Sequence, residues 1–184
     1  TFMRKIKHVS VVGSGIMGSR IACHFANIGV KVLLLDICPL ELLGSEKEKG
    51  LTLKDRVVKD RIVKTSFYNT LKTKPSSLYL EENKNNIKLG NLDDDGDKIN
   101  KSDWIIEVVV EKIEIKRKVF DLIEKARSKG TLVTSNTSGI PVKEMIKGRE
   151  KDFIENFCVT HFFNPPRYMK LLEIVPGEET KEEV

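Results

Sequence analysis

Residues 9–36, VSVVGSGIMGSRIACHFANIGVKVLLLD, decide the fold, because they read as strand, glycine turn, helix and strand. The apolar run of Val9, Val11 and Val12 leads into Gly13-Ser14-Gly15-Ile16-Met17-Gly18, which fits G-x-G-x-x-G. Each glycine has a physical task. Gly13 makes the tight turn, Gly15 lets a pyrophosphate approach the backbone, and Gly18 lets the helix pack close to the strand. The helix then directs its free N–H groups and positive dipole end at the phosphates. Ile21, Ala22, Phe25 and Ala26 supply its buried face, and Gly29 stands where a helix-ending glycine belongs.

A second apolar strand, Val30 to Leu35, ends in Asp36. A carboxylate about 20 residues beyond the glycines suits a ribose with free hydroxyls and repels a 2′-phosphate, which favours NAD over NADP. The alternative is another nucleotide-like ligand on a related sheet, such as S-adenosylmethionine.

The remaining chain extends this unit. From Pro39 to about Lys74 the pattern turns helical and charged, with Leu51, Leu53, Val57, Val58, Ile62 and Val63 as an apolar stripe among Lys54, Lys59, Arg61 and Lys64. This insertion, about residues 40–82, is either a solvated amphipathic face or a basic face over the phosphates of an extended substrate. Pro75-Ser76-Ser77 marks a change of direction. Ile87 to Asn91 reads as a strand and the acidic run Asp93 to Asp97 as a turn; Gly96 comes too soon for an EF-hand. Strands are expected at Trp104 to Val110, Thr131 to Ser135, Phe157 to Phe162 and Leu171 to Val175. Helices are expected at Ile113 to Ala126 and Pro141 to Ile146. Such alternation implies an α/β, Rossmann-type, doubly wound and mainly parallel sheet. Its ligands sit beyond the carboxyl ends of the strands, where Gly13, Asp36, Glu111, Ser138 and His161 converge.

Bulk properties narrow the function further. The 184 residues can bury one good core, and the net charge of +5 comes from bases scattered among acids, so no nucleic-acid stripe is present. No apolar run is long enough to span a membrane. The first strand begins close to the amino terminus, which leaves no room for a signal or transit peptide, and Met3 reads as the natural start. Cys23, Cys38 and Cys158 lack paired spacing and read as free thiols, which points to a reducing cytoplasm. His8, His24 and His161 are too far apart in sequence for a metal cluster, so no metal is expected.

His161 closes a strand in THFFNPP, and Glu173 lies in KLLEIV. A histidine can take a hydroxyl proton while a hydride leaves the same carbon, and a carboxylate on its other nitrogen fixes the tautomer. Glu173, read as an acid within an apolar strand, needs a partner, and His161 is the candidate. Ser138 either donates to a substrate oxygen or caps the helix that follows. Glu111 and Lys116 either pair locally or reach the nicotinamide end of the cofactor.

Several separate motifs agree with one family. VVGSGIMGSRIA, the acid of LLLD, DWIIEVVVEKIEIKRKVF, SNTSG and HFFNPPRYMKLLEIV together resemble the NAD-binding domain of the 3-hydroxyacyl-CoA dehydrogenases. The resemblance implies that His161 is the catalytic histidine and Glu173 its partner carboxylate. It makes Ser138 the serine that contacts both the substrate oxygen and the nicotinamide region. Asp36, Glu111 and Lys116 become cofactor contacts beside Gly13, Ser14, Gly15, Ile16, Met17 and Gly18, and Asn164 a supporting residue of the His161 turn. It also implies a further helical domain after residue 184, supplying an active-site asparagine, much of the acyl pocket and a homodimer surface.

The expected reaction is NAD-dependent oxidation of an L-3-hydroxyacyl-CoA to the 3-ketoacyl-CoA in fatty-acid β-oxidation. Two alternatives stand beside it. One is a β-hydroxyacid dehydrogenase acting on a free acid, against which the His–Glu pair argues. The other is an NAD-binding module that is inactive without its partner domain.

Overall fold

A computed structural model describes residues 4–184; Met3, read above as the start, lies outside them. Strands β1 (His8–Val12), β2 (Lys31–Asp36), β3 (Ile87–Asn91), β4 (Trp104–Glu107), β5 (Leu132–Ser135), β6 (Phe157–Phe162) and β7 (Leu172–Pro176) form one sheet in the order β3-β2-β1-β4-β5-β6-β7. The first six run parallel and β7 pairs antiparallel with β6. This is the dinucleotide-binding order 3-2-1-4-5-6 with an added edge strand. The strand order reverses between β1 and β4, directly beside the glycine turn.

The helices are α1 (Ile16–Asn27), α2 (Gly44–Glu48), α3 (Arg56–Lys59), α4 (Arg61–Lys72), α5 (Leu92–Asp95), α6 (Ile113–Ala126), α7 (Val142–Ile146) and α8 (Lys151–Glu155). Two hydrophobic layers hold them to the sheet. On one face, Val11, Leu34 and Ile106 pack with Ile21 and Phe25 of α1 and Val63 and Phe67 of α4. Phe25 meets Trp104 edge-on, with ring centroids 5.2 Å apart. On the other face, Val12, Ile105 and Val133 pack with Phe120 and Ile123 of α6, and with Phe153 of α8. Phe120, Phe153 and Phe157 contact one another at 5.4–5.8 Å. Each such fully buried side chain contributes about 1.5–3 kcal/mol of transfer free energy. Both faces of the central parallel strands are covered, so these read as near-continuous apolar runs.

Three expectations need correction. The stripe in the insertion is only partly buried: Val58 and Val63 are inside, Leu53 and Val57 are exposed, and Phe67 and Thr70 complete the buried row. The acidic run is not a turn but α5 followed by a 3₁₀ helix, Gly96–Lys101. Asn91 caps α5 by accepting from Asp94 N at 2.8 Å. Buried Asp95 then receives Arg56 Nη2 and Lys98 Nζ, while Arg56 Nε bonds buried Asp60 at 2.9 Å. Those acids are therefore a staple between the insertion and β3. The expected strand from Trp104 to Val110 stops at Glu107, and α8 carries its buried Phe153 where no helix is expected.

Candidate active site

The carboxyl ends of β1, β2, β4, β5 and β6 bring the expected residues to one edge of the sheet. Gly13 has φ of +108°, and a Cβ there would overlap the Val108 carbonyl just beyond β4. A Cβ on Gly18 would overlap the Gly13 carbonyl oxygen. Nothing lies within 4 Å of the corresponding position on Gly15, so backbone and open space meet where a pyrophosphate would approach. No side chain caps α1 and no acid occupies its first turn. Its first N–H groups have no intrahelical acceptor and suit an anion. Ile16 is exposed and Met17 half-buried at this start. Glycine turn and helix start thus fit NAD.

Asp36, at the end of β2, is tied to the same turn. Its Oδ2 accepts Ser14 N at 2.7 Å and the Ser14 hydroxyl, and its Oδ1 accepts Ile37 N at 2.7 Å. The carboxylate therefore sets the glycine loop while staying half-exposed beside it.

His161 and Glu173 are direct partners in the β6–β7 ladder, with His161 Nδ1 and Glu173 Oε2 2.9 Å apart. When Nδ1 carries the proton toward the carboxylate, Nε2 is left as the basic nitrogen. Phe163 lies against the imidazole at 4.7 Å between centroids. One premise of the sequence reading fails here. β7 is exposed along its whole length and the Glu173 side chain is 54% exposed, so burial does not force the pairing; strand register does.

The SNTSG loop follows β5. Ser138 is exposed, and the hydroxyl that bonds the start of the next segment is that of Thr137, which accepts Ile140 N at 3.2 Å. Pro141 holds the cap position of α7, so the capping alternative for Ser138 falls away. The Thr137 hydroxyl also donates to Glu111. Asn136 Oδ1 accepts Phe162 N at 2.8 Å and fastens this loop beside His161. A cavity of about 460 Å³ opens here, lined by Glu111, Ile113, Gly139 and Ile140.

Lys116 takes the local-pairing option. It is fully buried, with Nζ 2.9 Å from Glu107 Oε1 and 3.5 Å from Glu111 Oε2. Asn164 is held by Arg20 of α1, whose guanidinium donates to its Oδ1, and this links the glycine helix to the HFFNPP loop. Arg167 anchors the same loop to the insertion through the Ser76 and Leu78 carbonyls, at 2.8 and 2.7 Å. Glu107, Asn136, Thr137, Arg20 and Arg167 were all missed as site residues. All five sit inside the quoted motifs, but they act through partners elsewhere in the sequence.

A groove of about 470 Å³ lined by His8, Lys31, Lys88, Lys98 and Lys101 lies at the amino ends of the strands, opposite the glycine turn, and is no part of this site. Among the described residues no cluster of His, Cys, Asp and Glu could hold a metal ion. Nor is any helix among them long and apolar enough to cross a membrane.

Comparison with known proteins gives the family. A "Probable 3-hydroxyacyl-CoA dehydrogenase" of Bacillus subtilis is 50% identical over 98% of the chain and 23% of its own length. One of Deinococcus radiodurans is 37% identical over 98% of the chain and 48% of its own length. The chain thus spans from about a quarter to about a half of these curated relatives. Among solved structures, 3-hydroxybutyryl-CoA dehydrogenase from Escherichia coli superposes with a TM-score of 0.67 at 27% identity, covering 97% of this chain and 34% of that one. The (S)-3-hydroxybutyryl-CoA dehydrogenase of Ralstonia eutropha gives 0.68 at 26% identity, over 97% and 56%. The family model "3-hydroxyacyl-CoA dehydrogenase, NAD binding domain" matches residues 8–184, and the chain belongs to that family.

Proposed function

We propose that this chain is the cofactor-binding and proton-accepting half of an NAD-dependent L-3-hydroxyacyl-CoA dehydrogenase of fatty-acid β-oxidation. The observation that carries the reading is the His161–Glu173 pair at 2.9 Å, at the same ends of the strands as the glycine turn. Bound NAD supplies the acceptor for the hydride that leaves the hydroxyl-bearing carbon. Gly13 to Gly18 and the start of α1 hold its pyrophosphate, and Asp36 receives its ribose hydroxyls. His161 takes the hydroxyl proton at Nε2, and Glu173 stabilises the imidazolium that forms. Ser138, exposed and free of a capping role, donates to the substrate oxygen. Glu111 serves the nicotinamide half with Lys116 beneath it, and Asn164 shapes the turn after His161.

Further parts of this reading concern the whole protein. A helical domain beyond residue 184 completes the acyl pocket and forms a homodimer, which suits the exposed Leu171, Leu172, Ile174 and Val175 around β7. Three free cysteines suit a cytoplasmic setting. The test is NAD reduction by the full-length protein with 3-hydroxybutyryl-CoA against free 3-hydroxybutyrate. Turnover of the thioester alone is expected; preference for the free acid would overturn the substrate class.

A further inference from the structure

The site rests on a buried charge cluster whose innermost member, Glu107, contacts nothing at the surface. Glu107 ends β4 and Lys116 lies on the first turns of α6, and both side chains are fully buried. Lys116 Nζ donates to both Glu107 oxygens, at 2.9 and 3.1 Å. The remaining acceptor capacity of Glu107 is filled by Val109 N at 2.7 Å and the Ser135 hydroxyl at 2.6 Å. On its outer side Lys116 lies 3.5 Å from Glu111, which is 44% exposed and accepts the Thr137 hydroxyl. One buried anion thereby orders the ends of β4 and β5, the start of α6 and the SNTSG loop.

Stability does not account for this arrangement. Burying two charges carries a desolvation cost that an apolar pair of the same volume would avoid. The cluster also has a sign: two carboxylates and one ammonium leave a net charge of −1, with Glu111 as the member that reaches solvent. Charge fixed in a low-dielectric setting acts strongly on a neighbouring charge.

We propose that Glu107 is a positioning residue that fixes the Lys116 ammonium under Glu111, so that the net-negative cluster favours the cationic, oxidised nicotinamide over the neutral, reduced ring. This rests on the reading above in one respect only, that the nicotinamide half lies over Glu111 and the SNTSG loop. Glu107 sets the redox-state preference of the site without touching cofactor or substrate.

The test is calorimetric titration of the full-length protein with NAD⁺ and with NADH, which reads binding rather than turnover. Glu107→Gln removes one negative charge and keeps the side chain's shape. It should weaken NAD⁺ more than NADH, moving the ratio of the two Kd values about tenfold toward NADH. The double variant Glu107→Gln/Lys116→Met removes a positive charge as well and should return the ratio toward its original value. Glu111→Gln, at a half-exposed position, should shift the ratio in the same direction as Glu107→Gln, and it serves if the buried variant does not fold. Equal weakening of both cofactor forms, or an unmoved ratio in the variants that fold, would overturn the proposal while leaving the NAD reading intact. If the unsubstituted protein bound neither form, the underlying reading would fail and the proposal with it.

Discussion

His161 and Glu173 stand directly opposite each other in the only antiparallel ladder among the described strands, with Nδ1 and Oε2 2.9 Å apart. They lie 12 positions apart in sequence, on either side of the loop 163–171, yet register alone places one side chain across from the other. Because Glu173 is 54% exposed, its charge is partly screened by solvent. Glu173→Gln should therefore lower kcat by about 10–100-fold, less than the 10²–10⁴-fold typical of losing a general base, with little change in KM. Steady-state kinetics on the full-length variant check this, and an unchanged kcat would remove Glu173 from the mechanism.

Asp36 links two tasks in this proposal, because the carboxylate assigned to the ribose also holds Ser14. Asp36→Ala should weaken NAD binding about tenfold or more, the loss expected for a charge-assisted hydrogen bond. Titration of the variant measures it directly. Unchanged affinity would sink the assignment.

Much of this was legible in the sequence, for physical reasons that differ by element. The glycine turn, α1 and Asp36 could be read because their residue types and spacing fall within one continuous stretch, residues 9–36. The sequence extends β4 to Val110 because Glu107 interrupts WIIEVVV without changing its apolar look, and only the approach of Lys116 and Ser135 marks Glu107 as buried. The acidic run from Asp93 to Asp97 looks like a turn until Arg56, 39 residues from Asp95, closes on it. Thr137, and not Ser138, bonds the segment that starts at Ile140, a difference of one residue that spacing does not resolve. The antiparallel course of β7 follows from its register with β6 and not from its composition.

Stability should fall in two stages as the solution is acidified. Burial holds the His24 pKa below its usual value, in a pocket where its Nδ1 has no hydrogen-bond partner. Its folded pKa lies under the unfolded value of about 6.5, so its contribution is complete above that pH and is lost as pH falls below it. Asp60 and Asp95 follow at lower pH. Burial pushes both upward, but their hydrogen bonds to Arg56, Asn91 and Lys98 outweigh it and hold them below the usual carboxylate range. Their contribution is complete above the unfolded pKa of about 3.9 and is lost as pH falls through the lowered folded values. Thermal melting against pH should show both stages, with His24→Leu removing the upper one and Asp95→Asn reducing the lower. A melting curve flat from neutrality down to about pH 3 would contradict this.

The three cysteines should be inert in the folded protein. Burial pushes Cys23 up to about 12 and Cys158 up to about 11. Cys38 also rises to about 11, through burial first and then the Asp93 side chain. Thiolate, the reactive form, is scarce at neutral pH in each case. A thiol reagent at neutral pH should label none of them quickly and all three once denaturant is added. Rapid labelling of native Cys23 would mean that the α1 face is open.

The most direct test is NADH formation from 3-hydroxybutyryl-CoA by the full-length protein and its His161→Ala variant, with NAD affinity measured on both. The account predicts turnover in the parent, a loss of about 10²–10⁴-fold or more in the variant, and nearly equal NAD binding in the two. A variant that turns over at the parent's rate would contradict His161 as the base.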